Sequence, residues 1–203
     1  MARSQTQICN QAIGKLGGTP IIDINQDSTE AKLCKSFYAD VLQTLLEDHP
    51  WTFATKRYEL PQSAETPPKP FASQYLIPSN VLRILEASSN PDFSKSNSTQ
   101  WQVENGFIIS DEGSMYIRAI IDETDLNKFT PSFIRVFVVR LAAEISLALT
   151  QSREMHRQLM EEYGILLDRA ISSDGQQGRT RKYRSEQLIL VRTAGTSYAG
   201  PTV

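Results

Sequence analysis

Apolar residues at helical spacing dominate the pattern of this chain in the stretch that follows residue 27. Eight of them recur three and four residues apart over about five turns: Ala31, Cys34, Phe37, Tyr38, Val41, Leu42, Leu45 and Leu46. Asp27 and Glu30 have the spacing of a capping box, so Asp27 is predicted to be the N-cap of this helix. Pro50 biases His49 away from the αR conformation, which predicts that the helix ends there.

The residues after this helix are bulky and have strand character. Trp51, Phe53 and Ala54 follow Pro50 directly, and the chain then continues through Arg57. We expect the two aromatic rings to pack between the long helix and the start of a sheet. The alternative, a platform on which nucleic-acid bases stack beside Arg57, needs a positive groove. The acidic balance of the rest of the chain favours the packed interpretation.

Three further helices are predicted from capping residues and periodicity. The first covers residues 4–16, with Ser4 at its start and Gly17 and Gly18 at its end. We expect the isoleucines of the loop that follows, Ile21, Ile22 and Ile24, to lie under the helices. The third helix starts at Thr130 and Pro131, and its residues are apolar nearly all round, which is typical of a buried helix. The fourth covers about residues 152–172, and residues 173–178 are predicted to be a flexible linker.

The middle of the chain changes to the periodicity of strands. Residues 61–74 are rich in proline and are predicted to be a linker that is neither helix nor strand. Strands are predicted at 81–86, 100–103, 107–110 and 115–121 as an antiparallel meander. Asn105 and Gly106 stand between two of these runs, a strong signal for a tight hairpin.

These elements together predict an α+β fold. A bundle of about four helices is formed by residues 1–60 and 126–172, and it carries an inserted linker and antiparallel β-sheet domain at 61–125. Residues 173–203 form an extended C-terminal tail that is basic first and apolar afterwards. The basic cluster of the tail consists of Arg179, Arg181, Lys182 and Arg184. Its apolar run consists of Leu188, Ile189, Leu190 and Val191.

Composition adds a marked charge asymmetry to this picture. The 203 residues carry a net charge of −2, with 40% apolar residues, as is usual for a globular protein. Residues 175–203 hold five cations and one carboxylate, a net of +4, which leaves −6 on the rest of the chain. The sequence shows no membrane-spanning run and no signal peptide at its start, so we expect a cytoplasmic protein or one assembled into a particle there.

Candidate chemistry is scarce in the sequence. His49 and His156 lack a neighbouring serine or cysteine with a carboxylate, and are predicted to be ordinary surface or capping residues. Cys9 and Cys34 are expected to be buried thiols, since metal-ligand spacing is absent. Adjacent carboxylates, such as Glu161 and Glu162, point apart on a helix or turn. We therefore expect no catalytic residues, no cofactor and no metal.

Residues 5–60 resemble the tail tubular protein A family, the head-to-tail adaptors of short-tailed bacteriophages. The resemblance is carried by several elements in order: Ile13-Gly14-Lys15-Leu16-Gly17, Pro20-Ile21, Ser28, Ala31, Cys34 and Tyr38, and then Pro50-Trp51, Phe53-Ala54, Arg57 and Leu60. A second, shorter similarity covers Tyr75-Leu76-Ile77-Pro78 and Leu82-Arg83-Ile84-Leu85. Residues 122–203 match the family only in their general layout.

The resemblance implies a virion structural protein and not an enzyme. Such a subunit would form a dodecameric ring between the portal protein and the tail nozzle protein, with DNA passing transiently through the lumen. The helical bundle would form the ring, its acidic helix faces would flank the lumen, and the tail would bind the portal. Two other classes remain open: a cell-wall (peptidoglycan) hydrolase that uses a carboxylate pair, and a DNA-binding module.

Overall fold

The chain was analysed as a computed structural model, which describes residues 4–67, 70–93 and 99–177. The helices are α1 (Gln5–Lys15), α2 (Thr29–Asp48), α3 (Pro131–Thr150) and α4 (Arg153–Gly175). The strands are β1 (Thr55–Leu60), β2 (Ser73–Leu76), β3 (Val81–Ser88), β4 (Gln102–Glu104), β5 (Phe107–Ser110) and β6 (Met115–Ile121). A single 3-10 turn, Thr52–Ala54, joins α2 to β1. The fold is α+β, as predicted.

Hydroxyl side chains cap the N-termini of all four helices. Ser4 accepts a hydrogen bond from the Gln7 amide, and Thr130 accepts one from Phe133, as the sequence predicts. The predicted N-cap of α2 is wrong by one residue. Ser28 Oγ accepts from the Ala31 amide at 3.3 Å and occupies the cap position, while Asp27 pairs with Lys32.

Helix α3 lies at the centre of the helical part, packed against α1, α2 and α4. Its buried residues lie on several sides, which confirms that the helix is a core element: Phe133, Val136, Phe137, Val138, Val139, Leu141, Ala142, Ala143, Ile145 and Ser146. α4 starts immediately after α3, because Gln151 adopts the left-handed conformation (φ 51°) and reverses the chain.

The strands form two antiparallel sheets of three strands each. The strand order is β1-β6-β3 in the first sheet and β2-β5-β4 in the second. The prediction of a single meander is therefore wrong, because the consecutive strands β5 and β6 belong to different sheets. The predicted hairpin is confirmed: Asn105 and Gly106 both have positive φ, as a two-residue type I′ turn requires.

The first sheet begins inside the segment that was assigned to the helical bundle. β1 pairs with β6 from Thr55 onward, so the last six residues of the segment 1–60 form a strand. The predicted linker is also shorter than expected, because β2 starts at Ser73 and Gln62 forms an isolated bridge with Tyr75. β2 pairs with β5, so the end of this proline-rich segment is a strand although its composition predicts none.

Two hydrophobic cores hold these layers together. The larger core lies among the helices and includes Ala54 and Ile120, so the first sheet packs against the bundle. The smaller core lies between the sheets, with Leu60 and Ile117 from one and Tyr75 and Ile108 from the other. No helix among the described residues is long and apolar enough to span a membrane.

Two local predictions about apolar and flexible residues need correction. Ile21 is buried and Asn10 holds its backbone through two hydrogen bonds, but Ile22 is 92% exposed.

α4 continues to Gly175, beyond the predicted end at residue 172. Residues 173–175 of the predicted linker are therefore helical, residues 176 and 177 form a turn, and residue 178 lies outside the described residues. The eight tail residues predicted to bind a partner lie outside the described residues.

Candidate functional site

The segment between α2 and β1 is built around Trp51, which is fully buried. Its indole N–H donates to the Leu45 carbonyl at 2.7 Å. Leu45 is in the last turn of α2, where carbonyl groups lack partners within the helix, so the indole satisfies one of them. The ring also packs edge-on against His49 and Phe133. Trp51 thus fixes the end of α2 against α3.

Five of the residues that carry the resemblance differ in their exposure: Pro50, Trp51, Phe53, Ala54 and Arg57. Trp51 and Ala54 are buried, and Phe53 is half-buried against the rings of Phe129 and Phe133. These contacts confirm the packed interpretation of the two aromatic residues. Pro50 and Arg57, in contrast, are exposed at the surface.

Asp174, in the last turn of α4, is bonded to the residue that follows Trp51. Its carboxylate accepts the Thr52 amide at 3.1 Å and the Thr52 hydroxyl at 2.6 Å. The Asp174 side chain is only 3% exposed, and His49 Nε2 lies 3.5 Å from it. His49 is the C-cap residue of α2, which agrees with the capping role among the two that the sequence predicts, and its side chain is only 19% exposed. We call His49, Trp51, Thr52 and Asp174 the junction.

The junction also fixes the point at which the tail begins. Gln177 Oε1 lies 3.3 Å from the Thr52 hydroxyl, and Gln177 is the last described residue. The tail residues 178–203 thus follow a chain end that is held against the start of the first sheet. This arrangement connects the end of α2, the start of β1 and the start of the tail at one place.

Sequence reasoning missed Asp174, because Ser, Asp and Gly together are typical of a linker. A signal for it was present. Ala170 is buried and stands four residues before Asp174, so both lie on the same face of α4. Continuing the helical periodicity by one more turn would have placed this carboxylate toward the core.

The second histidine forms no catalytic pair with the nearest serine. His156 Nδ1 donates to the Ala143 carbonyl at 2.9 Å, and Ser146 Oγ donates to the same carbonyl at 2.7 Å. Because Nδ1 carries a proton in this arrangement, it cannot accept one from Ser146, which lies 3.4 Å away. The pair stabilises the turn between α3 and α4.

The adjacent carboxylates also have structural partners. Glu123 is buried, bonds Lys128 at 2.6 Å and accepts the Asp125 amide. Asp122 accepts from Gln43, and Glu162 pairs with Lys15 across α1 and α4 at 2.7 Å. Within residues 4–67, 70–93 and 99–177, no group of three or more potential ligands is placed to hold a metal ion.

The two cysteines contact each other between α1 and α2, and both are free and buried. A hydrogen bond to Cys34 and burial together raise the pKa of Cys9. The Cys9 thiol thus stays protonated, as the sequence expectation of a buried packing role requires.

Comparison with known proteins gives no match to any family model, and no curated protein matches the chain either.

Proposed function

We propose that this chain is the head-to-tail adaptor of a short-tailed bacteriophage. In this proposal it is a virion structural protein, assembled in the host cytoplasm, that forms a dodecameric ring between the portal and the tail nozzle. DNA passes through the lumen of the ring. The proposal starts from the resemblance of residues 5–60 to the adaptor family.

The observation that carries the proposal is the junction. Residues of the family motif, Trp51 and Phe53, are core residues that hold the helical part to the first sheet, and Asp174 holds the start of the tail to the same place. If the tail of a subunit is to reach a neighbouring ring, the residue at which the tail starts must be held in place on the folded part of the subunit. The described histidines and carboxylates support structure, which favours a scaffold over a hydrolase.

The tail supplies the contact with the portal in this proposal. Four of its five cations are clustered, and this cluster pairs with carboxylates of the portal: Arg179, Arg181, Lys182 and Arg184. The apolar run Leu188, Ile189, Leu190 and Val191 adds a strand to the portal or docks in a groove. An exposed run of this kind invites aggregation, so a partner that covers it explains why it is present.

Ring formation needs two different patches on each subunit that meet with a fixed rotation. The outer face of α2 carries three exposed carboxylates, Asp40, Glu47 and Asp48. In the proposed ring, acidic groups of α2 and α4 flank the lumen, where negative charge lets DNA slide without adhering.

The experiment that tests the proposal removes residues 178–203 and measures binding to purified portal rings. The cut is placed after Gln177, so that the bonds of Asp174 and Gln177 to Thr52 stay intact. We expect a folded protein with an unchanged melting temperature that no longer binds portal. Undiminished portal binding by the truncated chain would show that the tail is not the anchor.

A charge-matched pair of full-length variants separates tail chemistry from net charge. One variant replaces the four clustered tail cations with glutamine, and the other replaces four exposed cations of the body, Lys32, Lys35, Arg153 and Arg169. Both variants lose the same charge. We expect only the tail variant to lose affinity for the portal, and equal losses would contradict a specific tail contact.

A further inference from the structure

A cleft of about 730 Å³ opens where the first sheet meets the helical part. Three cationic residues, Lys56, Arg57 and Arg118, line it together with the apolar side chains of Pro50 and Leu85. We call it the basic cleft. It stands out on this molecule, because the chain without residues 175–203 carries a net charge of −6. Its volume is within the usual range of ligand sites.

Two arginines of the cleft are neighbours on adjacent strands of the first sheet. Arg57 on β1 and Arg118 on β6 are direct partners in the antiparallel register, so their side chains lie on the same face. Like charges at such positions destabilise a sheet. The arrangement therefore has a cost in the free protein that an anion between the two guanidinium groups would remove.

A carboxylate on β3 neutralises only part of the charge of this pair. Glu86 on β3 stands opposite Arg118, and its Oε2 lies 3.3 Å from Arg118 Nε. This contact lacks hydrogen-bond geometry, and Arg118 Nε is a buried atom with no hydrogen-bond acceptor among the described residues. A buried donor in this state is costly. The Arg118 side chain as a whole is 42% exposed, so a carboxylate from a ligand can reach the outer part of its guanidinium group.

Phe93 holds the other arginine in place. The Arg57 guanidinium lies 5.3 Å from the centre of the Phe93 ring, and Phe93 is buried. The backbone of Phe93 has φ 60°, a left-handed conformation that a bulky residue rarely adopts. Strain of this kind persists where the surroundings fix it and is concentrated at functional sites. Arg57 is thus oriented before any ligand arrives.

Protection of a sheet edge does not explain the pair. β1 is an edge strand, and exposed lysines and arginines on an edge prevent pairing with other chains. That reason covers Lys56 and Arg57. It does not cover Arg118, because β6 is the central strand of its sheet.

We propose that the basic cleft binds an acidic segment of a partner protein, with carboxylates of the segment paired to Arg57 and Arg118. The planar guanidinium groups suit carboxylates held by two hydrogen bonds. Pro50 and Leu85 offer apolar contact to the same segment, which a phosphate backbone would not use. The acidic surroundings also repel a long polyanion such as DNA more strongly than a short peptide segment. This proposal does not depend on the proposed adaptor function.

The test measures binding of a labelled polyglutamate peptide by fluorescence anisotropy. The protein is the full chain in which all five tail cations, the cluster of four and Arg192, are replaced by glutamine, so that the tail does not attract the peptide. In this background, R57Q and R118Q are compared with R153Q, which removes an exposed arginine on α4. Circular dichroism establishes that each variant is folded. We expect R57Q and R118Q each to weaken binding about tenfold or more, and R153Q to change it little.

Three results would overturn the proposal. The first is no binding of the peptide by the background protein. The second is an equal loss in R57Q, R118Q and R153Q, which would show attraction by net charge alone. The third is tighter, arginine-dependent binding of a single-stranded oligonucleotide of the same charge, which would assign the cleft to nucleic acid. If R118Q does not fold, R57Q alone decides, since Arg57 is exposed on an edge strand.

Discussion

Tyr38 is a core residue that contributes to stability with its ring but not with its hydroxyl. Its ring packs edge-on against Phe137 at 4.9 Å, but its hydroxyl is buried with no hydrogen-bond partner among the described residues. Burial, followed by the nearby Cys9, raises the pKa of Tyr38 above its ordinary value of 10.0. Packing of the ring therefore stabilises the folded protein, and the unpaired hydroxyl destabilises it.

We predict that Tyr38→Phe stabilises the protein by about 1 kcal/mol at neutral pH, because it removes an unpaired buried hydroxyl. The gain should grow above pH 10. There the unfolded chain ionises Tyr38 while the folded chain keeps it protonated, so the wild type loses more stability than the variant as the pH rises. Urea unfolding at two pH values measures both effects.

Tyr58→Phe is the matched control for this experiment. The Tyr58 hydroxyl accepts a hydrogen bond from Asn80 at 3.2 Å, so removing it should bring no gain. If Tyr38→Phe is less stable than the wild type at neutral pH, the Tyr38 hydroxyl has a partner and the interpretation of this site is wrong.

Trp51 combines burial with a hydrogen bond to the end of α2. We predict that Trp51→Ala costs about 3–5 kcal/mol of stability, as is usual for a large aromatic residue in a core. Trp51→Phe keeps a ring and should cost less. Thermal unfolding distinguishes the two. Lost assembly with an unchanged melting temperature would instead make Trp51 an interface residue.

At the scale of elements, the last turn of α4 depends on Asp174 more than on its own helical propensity. Ser172, Ser173 and Gly175 are weak helix formers, so tertiary bonds to Thr52 extend the helix to Gly175.

We predict that Asp174→Ala costs about 1–3 kcal/mol, since it removes the part-buried hydrogen bonds that Thr52 donates to this buried carboxylate. Amide hydrogen exchange at Thr52 should become faster. Asp168→Ala removes an exposed carboxylate from the same helix and should change neither quantity. Equal effects of the two substitutions would mean that the junction does not hold the helix end.

The predictability of each element follows from the range of the interactions that form it. Helix starts at Ser4 and Thr130 depend on neighbours three residues away, so the sequence predicts them. The assignment of β5 and β6 to different sheets depends on distant partners, which no local pattern records. Asp174 is intermediate, because the helical periodicity from Ala170 indicates its buried position, while its partner Thr52, 122 positions away, has no local signal. Arg118 carries no local signal either, since only the strand register brings it opposite Arg57.

At the scale of the whole molecule, charge and architecture are divided between the body and the tail. The body has two joined cores and a net charge of −6, and the tail has a net charge of +4 and an apolar run of its own. In the proposed adaptor, the body forms the ring and the tail reaches the portal. The basic cleft on the body would give such a ring a second place at which a protein partner binds.

The central claim is that this chain assembles as a ring on a portal. Electron microscopy of portal rings mixed with an excess of the chain tests it most directly. We predict a closed ring of added density coaxial with the portal, present with the full chain and absent when residues 178–203 are removed. Portal rings that stay bare with the full chain, at concentrations at which the protein is folded and soluble, would contradict the account.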